Sequence, residues 1–197
     1  MKPADIIRAG SPYGVRFQNW LYFILRWECE FNKEGNIRTE NVPGDGGGLT
    51  FAGIDQRSHP KFNYMHPTPE AVAKIYHADY WKPSRSDLLP FPVGEVVANF
   101  AVNMGLGRAA SMLQSAINMI PAGGSCRVDS SIGPKTIEAA RLEDPFVLAD
   151  LIEDVAGNRY RGIVEARPSQ RKFLSGWLNR NRALESWWKS LAEPIAK

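Results

Sequence analysis

Glu28, Asp45 and Thr50 have the side-chain types that acid-assisted hydrolysis uses. A carboxyl group set against apolar neighbours keeps its proton more easily than one in water, which suits a proton donor. A second carboxylate and a hydroxyl can hold a water on the far side of the bond being broken. Those parts suffice for hydrolysis of a glycosidic bond, in which one acid protonates the leaving oxygen. The run Asp45-Gly46-Gly47-Gly48-Leu49-Thr50-Phe51-Ala52-Gly53-Ile54 surrounds the second pair with glycines. Glycines allow tight turns and the close approach of a ligand. Each residue also has a plain structural reading. Glu28 fits a core-edge glutamate paired with Arg26 or Lys33, and Asp45 fits a simple turn residue.

The surrounding pattern indicates which elements must position these groups. Phe17, Trp20, Leu21, Ile24, Leu25, Glu28 and Phe31 recur at helical spacing. At about 100° per residue, Glu28 returns to the face of Phe17. Glu28 is therefore expected in line with a buried stripe, near the C-terminal end of a helix. Residues 35–55 hold Gly35, Pro43, Gly44, Gly46, Gly47, Gly48 and Gly53, which rule out a regular helix and favour short strands or turns. Thr68-Pro69-Glu70 starts a helix that runs towards Trp81 and stops before Pro83. Val93 to Met104 forms another, stopped by Gly105, and Ala109 to Ile117 a further one. After a loop at Pro121–Ser125, Gly133-Pro134 opens the next helix and Pro145 a long amphipathic one; the chain ends rich in tryptophan, with Trp177, Trp187 and Trp188. The expected class is α+β, mainly α, with a small β element around residues 36–55. Such a layout implies two lobes with a cleft between them.

Composition narrows the function classes. With 44% hydrophobic and 23% charged residues, the 197-residue chain can bury a core without disulfide or metal staples. Cys29 and Cys126 belong to no CxxC pair and are expected as free, largely buried thiols, although a bridge between them stays open. His59, His66 and His77 show no metal-ligand spacing, so neither a metal nor a cofactor is expected. The first apolar run, Trp20 to Leu25, is shorter than the about 20 residues that span a bilayer, and it lacks a cleavage site. No secretory signal is expected, which implies synthesis in the cytoplasm and a separate export route. Residues 156–197 carry nine Lys/Arg against three Asp/Glu, and the remainder carries 15 against 18. A basic C-terminal segment favours an anionic partner, such as a wall polymer or a membrane surface, or is simply a solvated face.

The order of motifs adds a resemblance. Trp27-Glu28-Cys29-Glu30-Phe31, then Asp45-Gly46-Gly47-Gly48-Leu49-Thr50, then Gly53-Ile54 resembles glycoside hydrolase family 108, the phage and bacterial N-acetylmuramidases. The likeness continues through Ile75-Tyr76, Tyr80-Trp81-Lys82-Pro83, Val102-Asn103-Met104-Gly105 and Leu113-Gln114. Asp129-Ser130-Ser131-Ile132-Gly133-Pro134-Lys135-Thr136 and Gly176-Trp177-Leu178-Asn179-Arg180 resemble the peptidoglycan-binding region that usually follows. Cys29 and Glu30 stand where the family has two glycines, and Asn99 where an Asp is common. The distance from Glu28 to Asp45 is longer than usual, so Glu30, Glu34 and Glu40 compete for the second carboxylate.

The resemblance implies a lysozyme-like fold, with a muramidase region over 1–105 and a helical peptidoglycan-binding-like region over 106–197. It implies Glu28 as the acid, with Asp45 and Thr50 as its catalytic partners. Gly47, Gly48, Tyr80, Trp81, Asn103 and Gln114 are candidates for substrate contact. Tyr80 and Trp81 fit core positions better than a sugar platform, and Asn103 and Gln114 are as readily structural. The implied activity is hydrolysis of the β-1,4 bond between N-acetylmuramic acid and N-acetylglucosamine. A phage or prophage endolysin would work this way, released to the periplasmic wall through a holin or another route. A lytic transglycosylase and a non-catalytic wall-binding or virion protein are the alternatives. No nucleic-acid fingerprint is present. Trp187 and Trp188 near Arg180, Arg182 and Lys189 fit either a membrane-surface helix or one docked by its tryptophans.

Overall fold

The structure, a computed structural model, describes residues 1–41, 48–121 and 124–192. By internal packing the chain divides into Met1–Trp81 and Lys82–Lys197.

In the first unit, helix α1 (Pro3–Ala9) begins at Lys2, whose N–H donates to Asp5 Oδ2 at 3.0 Å. No element was expected there, because seven residues with one buried side chain, Ile6, leave little periodicity to read. Helix α2 (Val15–Glu28) buries Phe17, Trp20, Leu21, Phe23, Ile24 and Leu25. Each such side chain contributes roughly 1.5–3 kcal/mol on burial. The expected stripe is present, but the helix stops at Glu28 and does not reach Phe31. Cys29 is already extended (φ −111°, ψ 135°), and Phe31 bridges Ile37. Local turn chemistry wins here. The Asn32 side-chain oxygen accepts from the N–H groups of Glu34 (3.1 Å) and Asn36 (2.8 Å), and Gly35 supplies a φ of 75°.

Three short strands follow: β1 (Thr39–Asn41), β2 (Leu49–Phe51) and β3 (Ile54–Asp55), in one antiparallel sheet of order β1-β2-β3. This is the β element expected around 36–55. Helix α3 (Pro69–Tyr76) is capped by Thr68, whose hydroxyl accepts from Ala71 N at 3.2 Å, and it runs on as a π-helical turn to Trp81. Phe17, Trp20, Tyr76 and Trp81 interlock as an aromatic core.

The second unit is helical. Helix α4 (Val93–Met104) is buried from Val93 to Ala101 and ends at Gly105, whose φ of 88° suits glycine. It packs on α5 (Leu106–Ile117) and α7 (Pro145–Ala166), with α6 (Pro134–Leu142) between them in sequence. Asp144 caps α7 by accepting from Phe146 N (2.8 Å) and Val147 N (3.2 Å). Helix α8 (Arg171–Ala192) docks on α7 through Leu184 and Trp188. The Trp188 indole N–H donates to Glu153 Oε1 at 2.8 Å, which gives the buried indole a partner. Burial pushes the Glu153 carboxyl up to about 8. Among the described residues no helix is long and apolar enough to cross a membrane.

Candidate active site

Glu28 is the last residue of α2, half-buried, with the core stripe directly behind it. What faces its stem is the turn between β2 and β3. That turn is Ala52-Gly53, with φ of 51° and 73°. Positive φ at both central residues is the requirement of the two-residue type I′ hairpin. The Tyr76 hydroxyl donates to the Ala52 carbonyl at 2.8 Å and pins the turn to α3. A Cβ at Gly53 would lie 2.9 Å from Glu28 Cβ and 2.8 Å from Tyr76 Oη. The missing side chain is what lets the hairpin seat against the glutamate.

The register of the sheet then builds a row of polar groups. Glu40 pairs with Thr50, and Thr50 pairs with Asp55. Directly opposed residues point to the same face with Cβ atoms about 4.5–5.5 Å apart. A carboxylate, a hydroxyl and a carboxylate therefore stand side by side across three strands, all half-buried. The adjacent row places Phe51 and Ile54 on the opposite face, both 3% exposed. Desolvation alone would raise Asp55. The Ser58 N–H at 2.9 Å, the Ser58 hydroxyl and nearby His59 outweigh it and hold Asp55 below the ordinary aspartate range.

Two neighbours tie this row to Glu28 electrostatically. Burial raises the Tyr80 phenol, and the charges of Asp79, Glu28 and Asp55 raise it further. Burial likewise pushes the Cys29 thiol up to about 12, with help from Glu28 and Glu40. Both cysteines are free and half-buried, less buried than expected.

The other expected residues divide clearly. Asp45 and Gly47 lie outside the described residues. Thr50 sits in the centre of the row. Gly48, at φ 75°, packs on Gln56, where a Cβ would meet Gln56 Oε1 at 2.7 Å. Tyr80 is half-buried beside Tyr76, with ring centroids 5.8 Å apart. Trp81 is fully buried against Phe17 and Trp20, so it offers no face to a sugar. Gln114 is likewise structural. Its amide nitrogen donates to Asp129 Oδ1, the Ser131 carbonyl and Thr136 Oγ1, and its oxygen accepts from the N–H groups of Asp129 and Ser130. It thereby joins the Leu113-Gln114 motif to the Asp129–Thr136 motif, with nothing left for a ligand. Asn103 is half-buried at the end of α4 and lines a groove in the second unit. Of the competing carboxylates, Glu30 and Glu34 are exposed, and only Glu40 joins the row. Asp55 was missed in the sequence. Its signal was the polar pair Thr50 and Asp55 set symmetrically about an apolar pair and a two-residue turn ending in glycine.

A hydroxyl flanked by two carboxylates, on a hairpin whose turn seats against a third carboxyl residue, is equipment that glycoside hydrolysis uses. The comparisons carry this to a family. Residues 23–105 match Glycosyl hydrolase 108, and residues 108–182 match the Predicted Peptidoglycan domain. Residues 23–105 thus form a glycosyl hydrolase family 108 region, a peptidoglycan-binding region follows it, and the two together make the chain a peptidoglycan hydrolase. Among solved structures it is similar to SagA of Brucella abortus, at 22% identity over 92% of this chain and 98% of that one, with a TM-score of 0.69. That likeness shows the lysozyme-like α+β fold. No curated protein matches the chain.

Proposed function

We propose that the chain is an N-acetylmuramidase, cleaving the β-1,4 bond between N-acetylmuramic acid and N-acetylglucosamine in a single, inverting displacement. Glu28 protonates the leaving oxygen. Thr50 and a neighbouring carboxylate hold the attacking water. The observation that carries this reading is the Glu40–Thr50–Asp55 row beside a hairpin turn seated on Glu28. Asp45 is the base by family resemblance. Asp55, held ionised by Ser58, is the described carboxylate best suited to the same work. Tyr80, Gly47, Gly48 and Asn103 remain candidates for substrate contact.

Mass spectrometry of fragments released from purified peptidoglycan tests the bond. Fragments ending in reducing muramic acid are expected. Fragments lighter by one water would instead indicate a lytic transglycosylase, which needs one acid and forms an anhydro sugar. No fragments would leave a binding or structural protein.

We further propose an endolysin role, with storage in the cytoplasm and action on the wall after release. Cells expressing the protein in the cytoplasm are expected to stay intact until the inner membrane is permeabilised, as a holin would do, and then to lyse within minutes. Lysis with an intact membrane would overturn the release route.

A further inference from the structure

The second unit contains a groove of about 780 Å³ along one face of α7, and its charge is one-sided. Arg108, Arg159 and Arg167 line it, and no acidic side chain does. Asp150, Glu153, Asp154 and Glu185 line a different groove, balanced there by Arg161 and Arg182. The basic groove is thus more than the net charge of the segment showing through.

Its cations are also available. Arg108 donates to the Met104 carbonyl at 3.0 Å, which fixes it on the rim. Arg159 and Arg167 are exposed residues and have no ion-pair partner among the described residues. Their Cα atoms are eight residues apart, about 12 Å along the axis of α7, with Arg167 standing as the cap residue at its end. Between them the exposed Gly162 leaves the helix face bare, with nothing within 4 Å of where its Cβ would be. The wall opposite is Trp177, stacked on Tyr160 with centroids 5.2 Å apart. Tyr160 keeps its proton, because burial pushes its phenol up to about 12 despite Arg180.

We infer that this groove binds the carboxylate-bearing peptide stem of peptidoglycan, with Arg159 and Arg167 each pairing one carboxylate. The inference rests on the peptidoglycan reading of the substrate. An arginine fork takes a carboxylate in two parallel hydrogen bonds. An extended peptide advances about 3.3–3.6 Å per residue, so three or four stem residues cover the length of α7 between Arg159 and Arg167. A single phosphate reaches only one of them. The Trp177 ring and the Gln170 amide suit the peptide's apolar and amide groups between the charges.

The test is calorimetric binding of the full chain, wild type and Arg159→Gln/Arg167→Gln, to two probes. One is a disaccharide-tetrapeptide, and the other is the same disaccharide without peptide. The wild type is expected to bind the peptide-bearing probe at least tenfold more tightly than the bare sugar. The double variant is expected to lose that advantage while its thermal midpoint stays within a degree or two. Equal binding of the two probes by the wild type would overturn the inference. So would undiminished affinity in the variant, or a groove that instead retains inorganic phosphate or anionic vesicles in an arginine-dependent way. Failure of the hydrolase reading looks different: the wild type would release no fragments from sacculi, whatever these affinities are.

Discussion

Glu28→Gln is expected to release peptidoglycan fragments about 10²–10⁴-fold more slowly than the wild type, the usual worth of a positioned general acid. Glutamine keeps the shape of the side chain, and its Cβ and Cγ still meet the Ala52-Gly53 turn. The variant loses the transferable proton and the negative charge. Folding should not suffer. Glu28 ends α2, where unpaired carbonyls give the helix a partial negative charge, and a carboxylate there is unfavourable by about 0.3–1 kcal/mol. A thermal midpoint close to the wild type's is therefore expected beside the lost rate. A variant that kept most of its rate would remove Glu28 from the mechanism. The same assay on Asp55→Asn, Glu40→Gln and Asp45→Asn identifies the second carboxylate as the one whose loss approaches that of Glu28→Gln. If all three stay active and the products are anhydro sugars, the single-acid transglycosylase is the right chemistry.

Most of the helices were legible because they carry their own local signals, α1 being the exception. Thr68 and Pro69 start α3, Gly105 stops α4, and the period of Phe17, Trp20, Leu21, Ile24 and Leu25 marks the buried face of α2. Glu28 was legible for the same reason, as a polar residue at the end of an apolar stripe. The row beside it was not, because it depends on register. Thr50 meets Asp55 only if the chain reverses at Ala52-Gly53, and alanine at positive φ is not a turn signal the sequence advertises. Burial of the aromatic residues was equally hidden. Tyr80 and Trp81 are adjacent and both aromatic, yet one is half-buried near Glu28 and the other is sealed among Phe17 and Trp20. Nothing in their spacing separates the two. The excess of basic residues after Ala156 was countable, but only the path of α7 and α8 sorts Arg159 and Arg167 into one groove and Arg161 and Arg182 into another.

Gly53→Ala is expected to cost about 100-fold in rate without unfolding the protein. Two effects act at once, and a second glycine separates them. Alanine at a φ of 73° carries a backbone penalty of about 1–2 kcal/mol. Gly35, at a φ of 75°, has nothing within 4 Å of its would-be Cβ, so Gly35→Ala measures that penalty alone. At Gly53 the new methyl also meets Tyr76 Oη at 2.8 Å and Glu28 Cβ at 2.9 Å. Contacts that short force a shift. Either the Tyr76 hydroxyl leaves the Ala52 carbonyl or the hairpin lifts away from Glu28. A displacement of about 1 Å between catalytic groups can cost on the order of 10²-fold. Gly35→Ala should therefore lower the thermal midpoint by several degrees at near wild-type rate, whereas Gly53→Ala should lower both. Measuring kcat beside the midpoint for the two variants decides the matter. Equal and undiminished rates would mean that the hairpin turn does not hold the acid against the Glu40–Thr50–Asp55 row. A selective loss at Gly53 would mean that the acid and the water site are kept in register by the absence of a single methyl group.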